Sequence, residues 1–403
     1  RVKTPHQILR VALRGKGWEL GLAEFPNACF VFDEIHAFEP LLVGLTIATV
    51  QWLQKMGARV LFASATLPSF LETILKEELK VSAECIVSPD PKNQYDKVVL
   101  DKIRHRIEIR AGSLLCNVET LVDEIKASVK TTLIVCNHVV TSQKVYDKLR
   151  EIFKDIRLLH ARFNAEDRFK IEGEIQSDNP PNILVATQAV EVSLDLDYDC
   201  GYIEPAPADA LGQRLGRINR KGTRHDPAKV VIFEEPSAKM KESPLYLPYD
   251  REITIETVNF LRETEFLSEF LLTEVVNKIY KDGYKGDSKA EYEKGLNNPV
   301  IAAFEENIIA GTHKDWVEDI IEGTDGKMEV LPIELYDRFI KLKEEKRYLE
   351  AKLLLVPIQI RQCRRLFAER VLWRDEVTEE YRTSLRYSSK CGLDLEKQID
   401  NIF

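Results

Sequence analysis

The sequence predicts an α/β fold: two parallel-sheet domains, the first of them partial, followed by a mostly helical carboxy-terminal domain. Up to residue 235, short β-branched or apolar runs alternate with helix-length stretches, the spacing of strand–helix–strand units. Beyond it the alternation gives way to longer helical segments of mixed charge. The 403 residues are 44% hydrophobic and 31% charged, which is enough apolar surface for roughly two or three cores.

Runs at 28–32 and 59–63 read as strands, with an apolar helix at 40–56 between them, closed by Gly57. After a polar stretch at 90–97, strands are expected at 131–136, 156–160, 182–186, 201–203 and 230–233, and helices at 118–130, 139–153 and 165–177. Continuous apolar strands of this kind belong to a parallel sheet covered on both faces. Helical stretches at 253–263 and 266–280, a Gly/Asn-containing segment at 282–298 and a mixed-charge tail from 333 make up the remainder. The expected domains are therefore 1–97, 98–235 and 236–403.

A formal charge of −9 argues against a polybasic, histone-like binder, while leaving room for a localised basic groove. No apolar run reaches about 18 residues, so neither a membrane span nor a signal peptide is expected. The seven cysteines are scattered without a C-x-x-C pair, which argues for buried thiols in a reducing cytoplasm and against zinc. The first residue is Arg1 rather than a methionine, and the chain reads as truncated or cleaved.

Three motifs follow one another: V-F-D-E-I-H at 31–36, S-A-T at 64–66 and Q-R-L-G-R-I-N-R at 213–220. Each falls at an expected strand or helix end, where open parallel sheets bind their ligands. Together they form the signature of a nucleic-acid-driven ATPase. Asp33 can hold Mg²⁺ through water, and Glu34 can orient the water that attacks a γ-phosphate of ATP. Arg217 and Arg220 are three apart, so on a helix both guanidinium forks would face the developing charge. Two facing sheets would put Asp33 and Glu34 on one wall of a cleft and Gln213, Arg217 and Arg220 on the other. His36 would bridge toward Gln213, and Ser64 and Thr66 would couple nucleotide state to closure. No G-x-x-x-x-G-K-[ST] precedes the acidic pair, so the loop that cradles the phosphates is missing and the sequence reads as the later part of an enzyme.

Each piece also has a structural reading: Asp-Glu as a turn, Thr66 as a helix cap, the arginines as a solvated helix face. Their joint order outweighs these readings. His225-Asp226 reads as a loop rather than a nuclease centre, and R-G-K-G at 14–17 lacks the frame of a P-loop.

The motifs resemble those of superfamily-two DExH-box helicases. V-A-T-Q-A-V-E-V-S-L-D-L-D-Y-D at 185–199, T-P-H-Q at 4–7, L-L-H-A-R-F-N-A-E-D-R at 158–168 and Q-R-L-G-R-I-N-R are similar to blocks of the CRISPR-associated helicase-nuclease of type I systems. The resemblance covers about residues 1–235 and implies two RecA-like domains, the first partial, plus an accessory domain. It places Thr187, Gln188, Asn137, His160 and Arg162 toward single-stranded DNA, and Asp195 and Gly216 toward the nucleotide. The implied cofactors are ATP and Mg²⁺. The implied partners are single-stranded DNA, an RNA-guided surveillance complex, and an amino-terminal part carrying a histidine-aspartate nuclease and the P-loop, without which the chain is expected to be inactive. In the tail, Arg361, Arg364, Arg365, Trp373 and Arg374 could form a basic, aromatic lid over DNA. Glu369, Asp375, Glu376, Glu379 and Glu380 favour a charged amphipathic helix instead. Two alternatives stay open: a DExH-box DNA or RNA helicase outside CRISPR, and a non-catalytic module that binds nucleic acid or a partner.

Overall fold

The computed structural model describes residues 2–15, 17–65, 67–128, 130–191, 194–237, 248–302 and 326–398. In chain order the first elements are α1 (Pro5–Ala12), α2 (Trp18–Leu22), β1 (Cys29–Asp33), α3 (Pro40–Lys55), β2 (Arg59–Ala63), α4 (Ser69–Leu79) and α5 (Gln94–Leu100). There follow β3 (Ile103–Ser113), α6 (Val118–Ala127), β4 (Thr132–Val135), α7 (Val139–Arg150), β5 (Ile156–Leu159), α8 (Ala165–Ile175), β6 (Ile183–Ala186), β7 (Cys200–Ile203), α9 (Ala208–Leu215) and β8 (Ala228–Glu235). The remainder holds α10 (Arg251–Arg262), β9 (Phe266–Ser268), α11 (Glu269–Ile279), α12 (Gly286–Leu296), α13 (Pro299–Ala302), β10 (Lys327–Pro332), α14 (Tyr336–Glu344) and α15 (Tyr348–Lys352). The chain closes with β11 (Val356–Gln359), α16 (Ile360–Ala368), β12 (Leu372–Arg374), β13 (Tyr381–Thr383), β14 (Leu385–Ser388) and β15 (Gly392–Gln398).

Two compact units emerge: Arg1–Leu100 with Thr273–Gly326, and Asp101–Leu272 with Lys327–Phe403. The single appended domain expected from residue 236 is therefore not how the described residues divide. In the first unit β1 and β2 pair in parallel, and α3 is buried along most of its length. A helix apolar all round needs cover on every side, and α1, α4, α12, α13 and β2 all touch it. The closest approach is at Gly44 and Gly295. A Cβ on Gly44 would stand 2.2 Å from the Tyr292 carbonyl oxygen, and one on Gly295 would stand 2.3 Å from that of Leu41. Only glycine lets the two backbones meet this closely, and this contact draws α12 out of the sequence-distant tail. One face of the β1–β2 pair stays open, with Val31 61% and Leu61 56% exposed.

The second unit holds a seven-stranded sheet in the order β5-β6-β4-β7-β8-β3-β9. All its pairings are parallel except that of β9 with β3. β4, β6 and β7 are buried at every position, as their unbroken apolar sequence requires. The stretch 266–280, expected to be one helix, begins instead with edge strand β9. The sequence does not announce β3, because Arg and His alternate along it. The tail contributes a small sheet, β11-β10-β13-β12, and the β14–β15 hairpin. Trp373 and Arg374 accordingly lie on a strand and not on an amphipathic helix. Cys136, Cys200 and Cys363 are buried, but Cys29, Cys85 and Cys116 are exposed, which corrects the expectation of buried thiols. Among the described residues no helix is long and apolar enough to cross a membrane.

Candidate nucleotide and nucleic-acid sites

β1 ends at Asp33, which pairs with Ala63 at the end of β2, so the loops that follow leave from the same end of the pair. The Glu34 N–H donates to the Ala63 carbonyl at 2.9 Å. Its φ is +53°, a left-handed conformation that costs a non-glycine residue about 1–3 kcal/mol and concentrates at functional sites. The turn carries His36 inward: its side chain is 2% exposed, with Nδ1 3.2 Å from Glu34 Oε2 and 2.6 Å from Ser64 Oγ. The imidazole nitrogen thus lies close to both the Glu34 carboxylate and the Ser64 hydroxyl. Asp33 is exposed at the strand end. The structure thus brings Glu34, His36 and Ser64 together next to Asp33; Thr66 lies outside the described residues.

In the second unit, loops leaving β4, β6 and β7 converge on Arg214, which is fully buried. Its Nε donates to Glu191 Oε1 at 2.8 Å, and its Nη1 donates to Asn137 Oδ1 and to the Glu204 carbonyl, both at 3.0 Å. Nη2 donates to the Tyr249 hydroxyl at 2.7 Å. Burial alone would lower Arg214, but Tyr249 and Glu191 overcome it and raise the guanidinium above its usual range. The Glu204 carboxylate accepts the N–H groups of Asn137 and Ser237, each at 2.7 Å, while burial pushes it up. Gln188 Nε2 donates to the Asn137 carbonyl at 3.0 Å. Of the residues expected toward DNA, Asn137 and Thr187 are buried and Gln188 is half-buried.

Arg217 and Arg220 do not share a helix face. α9 ends at Leu215, Gly216 takes the cap position with its N–H on the Gly212 carbonyl at 2.9 Å, and Asn219 turns the chain with φ +47°. Arg217 is directed inward, its Nε donating to the Val190 carbonyl at 2.8 Å and its Nη2 to the Glu191 carbonyl at 2.7 Å. Arg220 is 43% exposed and pairs with Asp195, itself 78% exposed, at 3.1 Å. Gln213 is half-buried on α9.

His160 and Arg162 lie beneath the β14–β15 hairpin. His160 is fully buried; its Nε2 donates to the Cys391 carbonyl at 3.0 Å and its Nδ1 accepts the Arg162 N–H at 3.1 Å. Both nitrogens are engaged in the neutral form, and burial, with Arg162 adding to it, lowers the imidazole to about 3. Burial also lowers Arg162 to about 10, against the pull of Asp394 and Glu396. The Arg162 carbonyl accepts the Leu393 N–H at 2.9 Å. Gly392, at φ +65°, sits so close that a Cβ would be 2.6 Å from that carbonyl oxygen. Sequence reasoning missed Glu204, Arg214 and Tyr249. Arg214 stands inside the Q-R-L-G-R-I-N-R motif, but nothing in the sequence marks Tyr249.

Elsewhere, His225 pairs with Asp226 at 3.0 Å on the surface. Arg365 lies 3.8 Å from Glu369, while the Arg361 side chain lies outside the described residues. Among the described residues no three His, Cys, Asp or Glu side chains converge to hold a metal ion.

Parallel sheets with these strand-end loops are the architecture of RecA-like domains, and solved structures share this fold. Cas3 of T. fusca in its ATP form aligns at TM-score 0.59 and 21% identity, over 81% of this chain and 45% of that one. A chain of a CRISPR RNA-guided surveillance complex in a pre-nicking state aligns at TM-score 0.58 and 19% identity, over 97% of this chain and 58% of that one. The model for the carboxy-terminal region of the CRISPR-associated nuclease/helicase Cas3 matches residues 128–223. A putative Cas3 nuclease/helicase of Methanocaldococcus jannaschii is 28% identical over 81% of this chain and 42% of its own length. The Cas3 endonuclease/helicase of Escherichia coli is 31% identical over 53% of this chain and 27% of its own. These matches support a likeness to the carboxy-terminal region of Cas3 proteins, and the chain spans less than half the length of these two relatives.

Proposed function

We propose that the chain is the later part of an ATP-driven single-stranded-DNA translocase that acts with an RNA-guided surveillance complex to destroy invading DNA. The observation that carries this reading is the grouping of Glu34, His36 and Ser64 around one imidazole nitrogen at the end of β1 and β2. Asp33 is exposed at the strand end and suited to hold the water shell of Mg²⁺, which when bound with ATP neutralises charge on the β- and γ-phosphates. Glu34 is held in a strained turn beside His36 and can orient and deprotonate a water. Arg217 and Arg220 are the proposed cations for the developing charge, with Asp195 orienting Arg220 and Gly216 ending the helix before them. Gln188 and Thr187 form the proposed DNA-side loop, and recruitment by a surveillance complex is supported by the fold shared with the pre-nicking structure.

The 403 residues contain no G-x-x-x-x-G-K-[ST], so turnover requires phosphate-binding groups from a further segment, and this chain alone hydrolyses no ATP. The test is a single-stranded-DNA-stimulated ATPase assay on the full-length protein. Glu34→Gln should abolish hydrolysis while ATP still binds, because the amide keeps the shape but takes no proton. Substantial turnover by that variant, or by this chain alone, would sink the reading.

A further inference from the structure

Tyr249 lies outside every motif, in the segment between β8 and α10, yet its hydroxyl joins two of the motif loops. It accepts from Arg214 Nη2 at 2.7 Å and donates to Glu191 Oε1 at 3.1 Å. The same carboxylate oxygen accepts Arg214 Nε at 2.8 Å, and the guanidinium carbon stands 5.5 Å from the Tyr249 ring centroid. The three side chains close a triangle in which each group satisfies the other two. Burial raises the phenol to about 12, so at neutral pH it keeps the proton that this donation needs.

What the triangle holds is the short loop after β6. Glu191 is fixed by its side chain, and the carbonyls of Val190 and Glu191 are the two acceptors of Arg217, at 2.8 and 2.7 Å. The Gln188 amide anchors the other end of the loop to the Asn137 carbonyl at 3.0 Å. The direction of the Val190 and Glu191 peptide planes sets where the Arg217 guanidinium points, and the Glu191 side chain sets those planes. Arg214 is already satisfied by Asn137 and the Glu204 carbonyl through Nη1. The tyrosine hydroxyl accepts the remaining Nη2 and adds a second donor that fixes the orientation of Glu191.

We infer that Tyr249 is a positioning residue for Arg217, acting through Glu191, and that it ties the DNA-side loop 187–191 to the arginine that serves nucleotide turnover. This rests on the proposed ATP-driven function. Two charge-assisted hydrogen bonds, from Arg214 and to Glu191, are what Tyr249→Phe removes, since the ring stays.

The test is a double-mutant cycle in the full-length protein with Mg-ATP and single-stranded oligodeoxynucleotide, using Tyr249→Phe, Arg217→Lys and the pair. Tyr249→Phe should lower the DNA-stimulated kcat about tenfold, with KM for ATP and the melting temperature near wild type. In the Arg217→Lys background the same change should have no further effect. Hydrogen exchange of the 187–191 peptide in nucleotide-free protein should rise in Tyr249→Phe. An additive loss, an unchanged kcat, or a loss matched by a lower melting temperature would overturn the inference. If the wild-type protein shows no DNA-stimulated turnover, the proposed function fails. The exchange measurement then still decides whether Tyr249 holds the loop, and unchanged exchange overturns that.

Discussion

His36 Nδ1 and Ser64 Oγ are 2.6 Å apart, joining the loop that follows β1 to the loop that follows β2. The same nitrogen lies 3.2 Å from Glu34 Oε2, so the serine hydroxyl holds the imidazole beside the carboxylate. Ser64→Ala removes the hydrogen bond that joins the two loops and leaves the imidazole beside Glu34. In the full-length protein this variant should keep ATP hydrolysis within about tenfold of wild type, the effect of one hydrogen bond, but lose more of its DNA movement than of its hydrolysis. Rates of ATP turnover and strand displacement, measured side by side, check this; equal losses in both would mean that Ser64 does not couple them.

Gly44 and Gly295 make a second prediction, one of stability. A methyl group on Gly295 would lie 2.3 Å from the Leu41 carbonyl oxygen and 2.8 Å from the Leu45 nitrogen, both backbone atoms that cannot rotate away. Gly295→Ala should therefore cost at least about 1–3 kcal/mol, the range for overpacking. A Cβ on Gly173 of α8 would have nothing within 4 Å, and Gly173→Ala should be neutral or stabilise by up to about 1 kcal/mol. Denaturant midpoints of the two variants give the comparison, and equal midpoints would contradict the helix contact.

Strand and helix positions are legible because apolar runs report burial directly: the run at 59–63 is β2, and the expected helix at 40–56 is α3 (Pro40–Lys55). Motif order likewise locates Glu34, His36 and Ser64 at one sheet end. What stays hidden depends on distant pairs. α12 joins the first unit because Gly295 meets Gly44. His160 and Arg162 carry the polarity of a DNA contact, but the sequence-distant Cys391 and Leu393 cover them. The spacing of Arg217 and Arg220 suggests one helix face, and the left-handed turn at Asn219 that separates them leaves no mark in the hydrophobic pattern.

That separation has a measurable consequence. Arg214 is buried and holds Glu191, Asn137 and Tyr249, so Arg214→Ala should cost about 3–5 kcal/mol by taking the cation from the half-buried Glu191 and leaving the buried Asn137 amide and Glu204 carbonyl without their donor. Arg220 pairs with Asp195 at the surface, and Arg220→Ala should change stability by no more than about 1 kcal/mol. If Arg220 serves as a finger, turnover should nevertheless fall by about 10³-fold or more. Melting curves and ATPase rates for both variants separate the two effects. A destabilised Arg220→Ala would place that side chain in the fold rather than at the nucleotide.

The last prediction concerns acid. His160 is lowered from 6.5 to about 3, chiefly by burial, and His105 to about 4, also chiefly by burial. His105 Nε2 lies 2.8 Å from the Ile218 carbonyl, and Arg162 and Arg104 add positive charge near the two rings. Between these folded values and about 6.5 the unfolded chain binds protons that the folded chain refuses, so stability falls as pH falls. Both contributions are fully present above about pH 6.5 and are progressively lost below it, His105 down to about 4 and His160 down to about 3. At about pH 5 each shift corresponds to a loss on the order of 2 kcal/mol. Melting temperature should therefore drop between about pH 7.5 and 5.0, above the range where carboxylates titrate. His160→Gln keeps a donor for the Cys391 carbonyl without a titrating ring, and His105→Gln does the same toward Ile218. The double variant should show a markedly flatter dependence over that interval; a slope equal to wild type would mean that neither histidine is held neutral by the fold.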